Sequence, residues 1–101
     1  DFNPKPTTKT PGQLEASDIL WESDDGMTKI GIWECSEGTF TADRTSAAEF
    51  CHILSGKASI INYDGNGKRV LAGGDLLVLP KGWKGEWTVH DKVKKLFIIQ
   101  E

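Results

Sequence analysis

The sequence has little of what marks several large classes of protein. Its 101 residues include only two histidines and two cysteines. No apolar run is long enough to cross a bilayer, and no cluster of basic residues forms the kind of stripe that binds nucleic acid. The formal net charge is −3, from 12 basic and 15 acidic residues. We therefore expect neither a nucleic acid nor a membrane as a partner.

The two cysteines, Cys35 and Cys51, lie inside apolar segments and lack the CxxC spacing of redox or zinc motifs. We interpret them as buried, reduced thiols rather than as a disulfide. Because reduced thiols persist in the cytosol, this interpretation predicts a cytoplasmic location.

Short strand-like segments separated by turn residues fill most of the chain. Their apolar and β-branched content favours strands, and no segment shows sustained helical periodicity. A chain of this length forms one domain with one core, so we predict an all-β barrel or sandwich. The predicted strands are Thr28 to Cys35, Glu49 to Leu54, Lys57 to Tyr63, Arg69 to Leu71, Leu76 to Leu79, Lys84 to His90 and Val93 to Ile99.

Two turns and one strand carry more specific predictions. Asp64-Gly65-Asn66-Gly67 is typical of a hairpin turn, because Gly and Asn accept positive φ at low cost. Ser55-Gly56 is expected to end one strand before the next begins. The run Leu76 to Leu79 is continuously apolar, which is typical of a strand buried on both faces.

The N-terminal residues differ in composition from the rest. Residues 1–13 include three prolines and little apolar content, so we predict an extended arm or a disordered tail there. Residues 14–101 are predicted to form the barrel. The apolar segment Leu14 to Trp21 is expected to cap one end of the barrel or to pack on a partner subunit.

Two stretches resemble the two sequence motifs of cupins. In Gly38 to Gly56, Glu49 and Gly56 match the Glu, six residues, Gly half of the first motif. Gly74 to Gly82 matches the second motif, which is Gly, five residues, Pro, any residue, Gly. Both motifs occur in order and are separated by a hairpin. The resemblance implies a cupin barrel, a double-stranded β-helix of the jelly-roll type.

The chain is most similar to small cupins related to (S)-ureidoglycine aminohydrolase and to a cupin of ethanolamine utilisation. This resemblance covers roughly residues 26 to 100. Because many members of this branch have no assigned function, it implies the fold more strongly than any chemistry. The residues that carry it are Gly31-Ile32-Trp33-Glu34-Cys35, Glu49-Phe50-Cys51, Gly82-Trp83-Lys84-Gly85-Glu86-Trp87 and Val93-Lys94-Lys95.

The chain departs from the metal-binding cupins at their ligand positions. Those cupins supply three His and one Glu, of which only Glu49 is present. The paired His positions fall in Asp43 to Ser46, and the third falls on Gly85. Since one carboxylate cannot hold a transition metal, we expect no metal and no other cofactor. An improvised site using Asp43 or Cys51 is the alternative.

Glu49 and Lys95 are the candidate catalytic residues. The motif places Glu49 inside the barrel, where a carboxylate must be paired, hydrogen-bonded or protonated. It would act as a general acid or base, or anchor a ligand; alternatively, it is a relic held in a structural ion pair. Lys95 shares a strand face with Phe97 and Ile99, so we hypothesise an internal Glu49–Lys95 pair. The alternative is a solvated Lys95.

Five further residues are candidate ligand contacts. Trp87 shares a face with Gly85 and should point inward, while Trp83 follows the second motif and should be partly exposed at a pocket mouth or interface. Each tryptophan is equally consistent with core filling. Arg44 could bind an anionic group or remain solvated. Because His52 points away from Cys51, we exclude a Cys–His catalytic pair. The candidates are Trp33, Arg44, Cys51, Trp83 and Trp87.

Three functions remain open at this point. The first is a metal-free binder of a small organic molecule. The second is a metal-independent isomerase or lyase with Glu49 as acid or base. The third is a structural or accessory dimer with a filled pocket. We also expect a homodimer, because the resemblance and the apolar segment Leu14 to Trp21 suit subunit packing.

Overall fold

The structure, a computed structural model, describes residues 1–65 and 67–101. Within these residues the fold is all-β and antiparallel, and no helix is present. It follows that none of the described residues belongs to a helix long and apolar enough to cross a membrane. The strands are β1 (Asn3–Pro4), β2 (Leu14–Glu22), β3 (Thr28–Cys35), β4 (Gly38–Asp43), β5 (Ala48–Asn62), β6 (Lys68–Ala72), β7 (Leu76–Leu79) and β8 (Lys84–Gln100).

Two long strands, β5 and β8, run through both halves of the barrel. In the first half, the end of β8 pairs with β3 and with the start of β5, while β2 and β7 flank them. In the second half, the start of β8 pairs with β4 and with the end of β5, which also pairs with β6. The inner faces of the two halves meet and enclose the core.

The period-two alternation of strand residues decides which side chains enter that core. On β5, Glu49, Cys51 and Ile53 are buried, while Phe50 and Leu54 on the opposite face are exposed. Apolar side chains from six strands, β3 to β8, form one continuous buried cluster. Its largest members are Trp33, Phe40, Ile53, Ile60, Leu71, Leu77, Leu79, Trp87, Val89, Val93 and Phe97.

Two predicted strand breaks are wrong. The segments predicted to end at Leu54 and begin at Lys57 are one strand, β5, with irregular pairing between Ile53 and Ala58. Gly56 lies in this irregular stretch with a φ of 92°. A bulge absorbs the extra residues and bends the strand from one half to the other. The same register change lets β8 continue through the predicted gap between its two segments.

The prediction for Leu76 to Leu79 is correct in extent and wrong in burial. Leu77 and Leu79 enter the core, but Leu76 and Val78 are 52% and 59% exposed. The strand is short and lies at an edge of the sheet, so only one face finds a partner. The sequence analysis also missed β4, in which Thr39 and Thr41 alternate with Phe40 and Ala42 and give only a weak apolar signal.

Residues 1–13 run along the barrel. Lys9 N donates to the Thr39 carbonyl, and Thr41 N donates to the Thr7 carbonyl. The buried Gln13 side chain accepts from Thr8 Oγ1 and donates to the Ser36 carbonyl. The arm is thus hydrogen-bonded to β4, and turns and bends rather than an extended run lie between Lys5 and Gln13. The boundary between arm and barrel stays a prediction.

The hairpin predicted at residues 64–67 joins β5 to β6. Gly65 and Gly67 have φ values of 82° and 77°, the conformation that favours glycine in tight turns. Asn66, which the prediction also used, lies outside the described residues.

Gly56 allows β5 and β8 to approach at the bulge, and this can be tested by substitution. A Cβ at Gly56 would lie 2.1 Å from the Lys92 carbonyl oxygen, whereas a Cβ at Gly74 (φ 96°) would meet nothing within 4 Å. We expect Gly74→Ala to lower the free energy of unfolding by about 1–2 kcal/mol, the cost of a left-handed backbone. Gly56→Ala should cost about 3 kcal/mol more through overpacking. Urea unfolding measures both, and equal losses would contradict the close approach.

Candidate functional site

Glu49 and Lys95 meet inside the barrel. Glu49 is on β5 and Lys95 is on β8, and their residues are 3% and 5% exposed. Lys95 Nζ lies 2.9 Å from Glu49 Oε2. The alternation of both strands turns these side chains inward, and the length of the lysine carries its amine to the carboxylate. The hypothesised pair is therefore present, while a catalytic role for either residue stays a prediction.

Arg44 reaches the other oxygen of the same carboxylate. It lies in the loop after β4, which is held by hydrogen bonds from Arg44 N to the Trp83 carbonyl and from Gly82 N to the Arg44 carbonyl. Its Nε is 3.1 Å from Glu49 Oε1. This contact is an ion pair without hydrogen-bond geometry, and neither atom has a hydrogen-bond partner among the described residues although both are buried.

The two cations control the ionisation of Glu49. Burial by itself would raise the pKa of this carboxyl, but the charges of Lys95 and Arg44 outweigh burial and hold the pKa below its usual value of 4.5. Glu49 is thus a carboxylate at neutral pH. Its negative charge is stabilised by two positive ones, as a buried ion requires.

Cys51 lies beside this group as a neutral thiol. Burial raises the pKa of Cys51 to about 12 and that of Cys35 to about 11. Both cysteines are free and fully buried, as predicted. Because the thiolate is the reactive form, neither cysteine is a nucleophile at neutral pH. Both histidines avoid the site: His52 is on the outer face of β5, and His90 contacts Ser59.

Three aromatic rings form the walls beside the charged group. Trp33 packs edge-on against Phe40 and Trp87, whose own rings are stacked. The Lys95 amine lies 4.4 Å from the Trp33 ring centroid and 4.5 Å from that of Trp87. These distances are typical of cation–π contacts. Trp33 and Trp87 therefore serve as packing for the core and as neighbours of Lys95.

Sequence reasoning missed a second ion pair at the same cavity. Lys5, from the arm, contacts Glu15 on β2 with its Nζ 2.9 Å from Glu15 Oε1. Trp33 Nε1 donates to that same oxygen at 2.9 Å. The composition of the arm predicted no fixed position for it on the barrel. Lys5 could have been recognised as a candidate only if the arm had been predicted to pack against the barrel surface.

Trp83 is not part of this group. It packs over Gly85, where an added Cβ would lie 2.5 Å from its ring, and its Nε1 donates to Asn62 Oδ1. It is partly exposed, as predicted, but it does not line the cavity at Glu49. A larger side chain at position 85 would collide with this ring and with the Ile61 carbonyl oxygen.

The side chains described above surround a half-open cavity of about 160 Å³. Charged and aromatic side chains alternate around it, since the amines of Lys5 and Lys95 lie against the aromatic rings. Cys51 lies behind the wall and does not line the cavity. The lining residues are Lys5, Glu15, Ser17, Trp33, Phe40, Arg44, Glu49, Trp87, Lys95, Phe97 and Ile99.

The residues at this position do not fit a metal ion. Both carboxylate oxygens of Glu49 face cations, and the nearest thiol is protonated. Among residues 1–65 and 67–101, no three His, Cys, Asp or Glu side chains come together in a way that could hold a metal. The ammonium of Lys95 takes the position next to Glu49 that a bound cation would take.

The balance of charge at Glu49 can be tested by comparing the stability of a single variant with that of a double variant. Lys95→Met should lower the free energy of unfolding at pH 7 by about 3–5 kcal/mol, because it leaves a buried carboxylate underpaired. Glu49→Gln combined with Lys95→Met should recover most of this loss. Urea unfolding between pH 4 and pH 8 measures both variants.

The contribution of the Glu49 pairing to the free energy of unfolding depends on pH with a defined sign. The pKa of Glu49 is lowered on folding, so its pairing stabilises the unchanged protein above the unfolded-state pKa and is lost as the pH falls through the folded-state pKa. The deficit of Lys95→Met should therefore shrink toward pH 4. A deficit independent of pH, or a double variant as unstable as the single one, would contradict the coupling.

Comparisons with known proteins agree with this architecture. The EutQ protein of Clostridium difficile is 22% identical, with a TM-score of 0.77 over 92% of this chain and 72% of that chain. A Pseudomonas syringae protein of unknown function from the DUF861 family is 17% identical, with a TM-score of 0.83 over 99% of this chain and 42% of that chain. At these identities the likeness shows the fold alone.

Closer sequence similarity comes from a DUF861 family protein of Thermotoga maritima. It is 36% identical over 65% of this chain and 73% of that chain, with a TM-score of 0.61. No protein with a curated description matches the chain. The family model of the EutQ-like cupin domain matches residues 22–97, which is most of the chain. The chain therefore belongs to the EutQ-like cupin family.

Proposed function

We propose that this chain binds a small organic acid inside the barrel without the help of a metal ion. The observation that carries the proposal is the buried Nε of Arg44, which has no hydrogen-bond partner among the described residues and lies at the cavity. Arg44 and Lys95 together face the single carboxylate of Glu49. The group thus has one surplus positive charge, which the carboxylate of a ligand would neutralise.

The remaining wall of the cavity suits the rest of such a molecule. Trp33, Phe40 and Phe97 offer apolar surface among the charged groups. Small-ligand sites combine apolar surface with a few convergent polar groups, and this cavity is a polar example, with five charged side chains among its lining residues. The volume of about 160 Å³ accommodates an acid of a few carbon atoms.

The same geometry favours binding over acid–base catalysis by Glu49. A general base works best when its pKa lies near the operating pH. The pKa of Glu49 is lowered, and both of its oxygens face cations. Such a carboxylate is a weak base. In this proposal Glu49 holds Arg44 and Lys95 in position, while Trp33 and Trp87 support Lys95.

Affinity for matched probes tests the proposal. Butyrate should bind, whereas butyramide and butylamine, which have nearly the same shape but no negative charge, should bind at least about tenfold more weakly. Arg44→Gln should weaken butyrate binding by about tenfold or more. Arg69→Gln, which removes the same charge on β6 outside the cavity, should leave binding unchanged. Isothermal titration calorimetry measures all of these affinities.

The outcomes against the proposal are equally clear. Equal affinity for the acid and its amide would show that the surplus charge does not select the ligand. Failure of all straight-chain acids from three to five carbons to bind would favour the third function, a barrel whose role is structural or accessory.

A second candidate role, pairing of two copies, is supported by the outer face of the first half of the barrel. The register aligns apolar side chains in rows that cross five strands. One row contains only apolar residues, and the next is interrupted by Asp18 and His52. The rows are Trp21, Ile30, Ile98, Phe50 and Val78, and Asp18, Ile32, Leu96, His52 and Leu76.

The size and charge of this outer face suit a second copy of the chain. The two rows above and the flanking rows through Thr28 and Gln100 and through Glu34 and Lys94 make four rows about 7 Å apart. With five strands about 4.8 Å apart they give roughly 600 Å², against the ~800 Å² that each partner of a standard interface buries. Its charges lie at the margin, with Asp18 at one corner and Glu34 beside Lys94 in the last row. A two-fold axis can set Lys94 against the acids of the other copy.

Two identical substitutions at similarly exposed valines test the pairing. Val78 is in the outer face and is 59% exposed, while Val70 on β6 is 67% exposed and lies on the other half. The unchanged protein should sediment at twice the mass of one chain. Val78→Asp should sediment as a monomer, because it would bury an unpaired charge in the interface. Val70→Asp should remain a dimer. A monomeric unchanged protein, or a dimeric Val78→Asp variant, would contradict this role.

The cytoplasm is the proposed location. The support is chemical: both thiols are free and buried, as is usual in a reducing compartment.

A further inference from the structure

We infer that the Lys5–Glu15 pair sets the charge of the ligand, so that the cavity accepts monocarboxylates and rejects dicarboxylates. This inference rests on the proposed function, because it assumes that the cavity holds an organic acid. Lys5 and Glu15 would thus determine specificity, although neither belongs to the two motifs of the barrel. The ligand class that they select is the monocarboxylates.

Both residues lie at the cavity and are largely buried. The side chains of Lys5 and Glu15 are 14% and 23% exposed. The Lys5 amine is 4.5 Å from the Phe40 ring centroid and 5.9 Å from that of Trp33. Arg44, Glu49 and Lys95 line the same space. A ligand in this cavity therefore meets two ion pairs and one additional cation.

The formal charges of the cavity give the selection rule. Lys5, Arg44 and Lys95 contribute three positive charges, and Glu15 and Glu49 contribute two negative ones. The sum is +1, which one carboxylate neutralises and two do not. Charges that are partly shielded from solvent are screened less by salt than exposed ones, so one unit of charge here changes affinity measurably.

Glu15 is held in a fixed orientation. Its Oε1 accepts both from Lys5 Nζ and from Trp33 Nε1, each at 2.9 Å. The Trp33 ring also contacts the Lys95 amine. The indole thus lies between the two lysines and fixes the carboxylate that neutralises the first of them. Without the charge of Glu15, Lys5 would become a second free cation in the cavity.

The pair lies outside the part of the chain that the family match covers, residues 22–97. Lys5 comes from the arm and Glu15 from β2. Arg44, Glu49 and Lys95 are inside that match. The ligand charge is consequently set by residues beyond the matched barrel segment, whereas the carboxylate contact itself is set by residues within it.

Substitutions at the pair should change the ratio of affinities for butyrate and succinate in opposite directions. The unchanged protein should bind butyrate at least about tenfold more tightly than succinate. Glu15→Gln keeps an oxygen for Trp33 and frees the Lys5 charge, so succinate affinity should rise about tenfold. Lys5→Met leaves Glu15 unpaired, so butyrate affinity should fall about tenfold and the affinity for succinate, which carries two negative charges, about a hundredfold. Lys5→Arg should restore both affinities.

A second arm-to-barrel ion pair provides the matched control. Lys9 Nζ lies 2.8 Å from Glu86 Oε2, and neither residue lines the cavity. Lys9→Met and Glu86→Gln should keep the affinity ratio of the unchanged protein. If Lys9→Met and Glu86→Gln change the affinity ratio as the Lys5 and Glu15 variants do, the effect comes from attachment of the arm, and the inference is overturned.

Calorimetric titration with both acids distinguishes the remaining outcomes. Changes of the butyrate-to-succinate affinity ratio in opposite directions for Glu15→Gln and Lys5→Met support the inference. If the unchanged protein binds butyrate but neither variant alters the ratio, the selection is overturned while the proposed function stands. If no straight-chain acid of three to five carbons binds the unchanged protein, both are overturned.

Discussion

The buried ion pair between Glu49 and Lys95 is the constraint on which the interior of this barrel depends. A carboxylate removed from water must be compensated, and in metal-binding cupins a bound cation does so. Here the compensation is covalently part of the chain, in Lys95 on the neighbouring strand and Arg44 on an adjacent loop. The ammonium in turn needs its own surroundings, which the rings of Trp33 and Trp87 provide. Aromatic core and charged centre thus stabilise one another.

This arrangement separates the two faces of the same strands. On β5, inward positions hold the charged centre and the core, and outward positions hold Phe50 and Leu54. A one-residue shift in register would exchange the two sets. The bulge at Gly56 is therefore important for the site as well as for the fold, because it permits β5 to bend between the halves without altering the register around Glu49.

The arm gives the barrel a feature that its motifs do not contain. Gln13 anchors the arm through hydrogen bonds to Thr8 and Ser36, and this anchoring brings Lys5 to the cavity. The barrel and the arm thus contribute differently to the proposed function. The barrel supplies a buried cationic centre, and Lys5 of the arm forms a neutral pair with Glu15 of β2 at its edge. Such a division lets the charge of the cavity change without disturbance of the core.

Strand alternation and the resemblance to the cupin motifs were sufficient to predict the all-β cupin fold and the inward orientation of Glu49 and Trp87. For Lys95, alternation left both orientations open, because each face of its strand carries apolar residues. Contacts between distant segments were not predictable in this way. The continuity of β5 depends on a bulge formed against β8, the exposure of Val78 on the absence of a neighbouring layer, and the position of Lys5 on hydrogen bonds between the arm and β4. Only the tertiary structure decided these, because each is determined by which segments meet in space and not by the residues next to them in sequence.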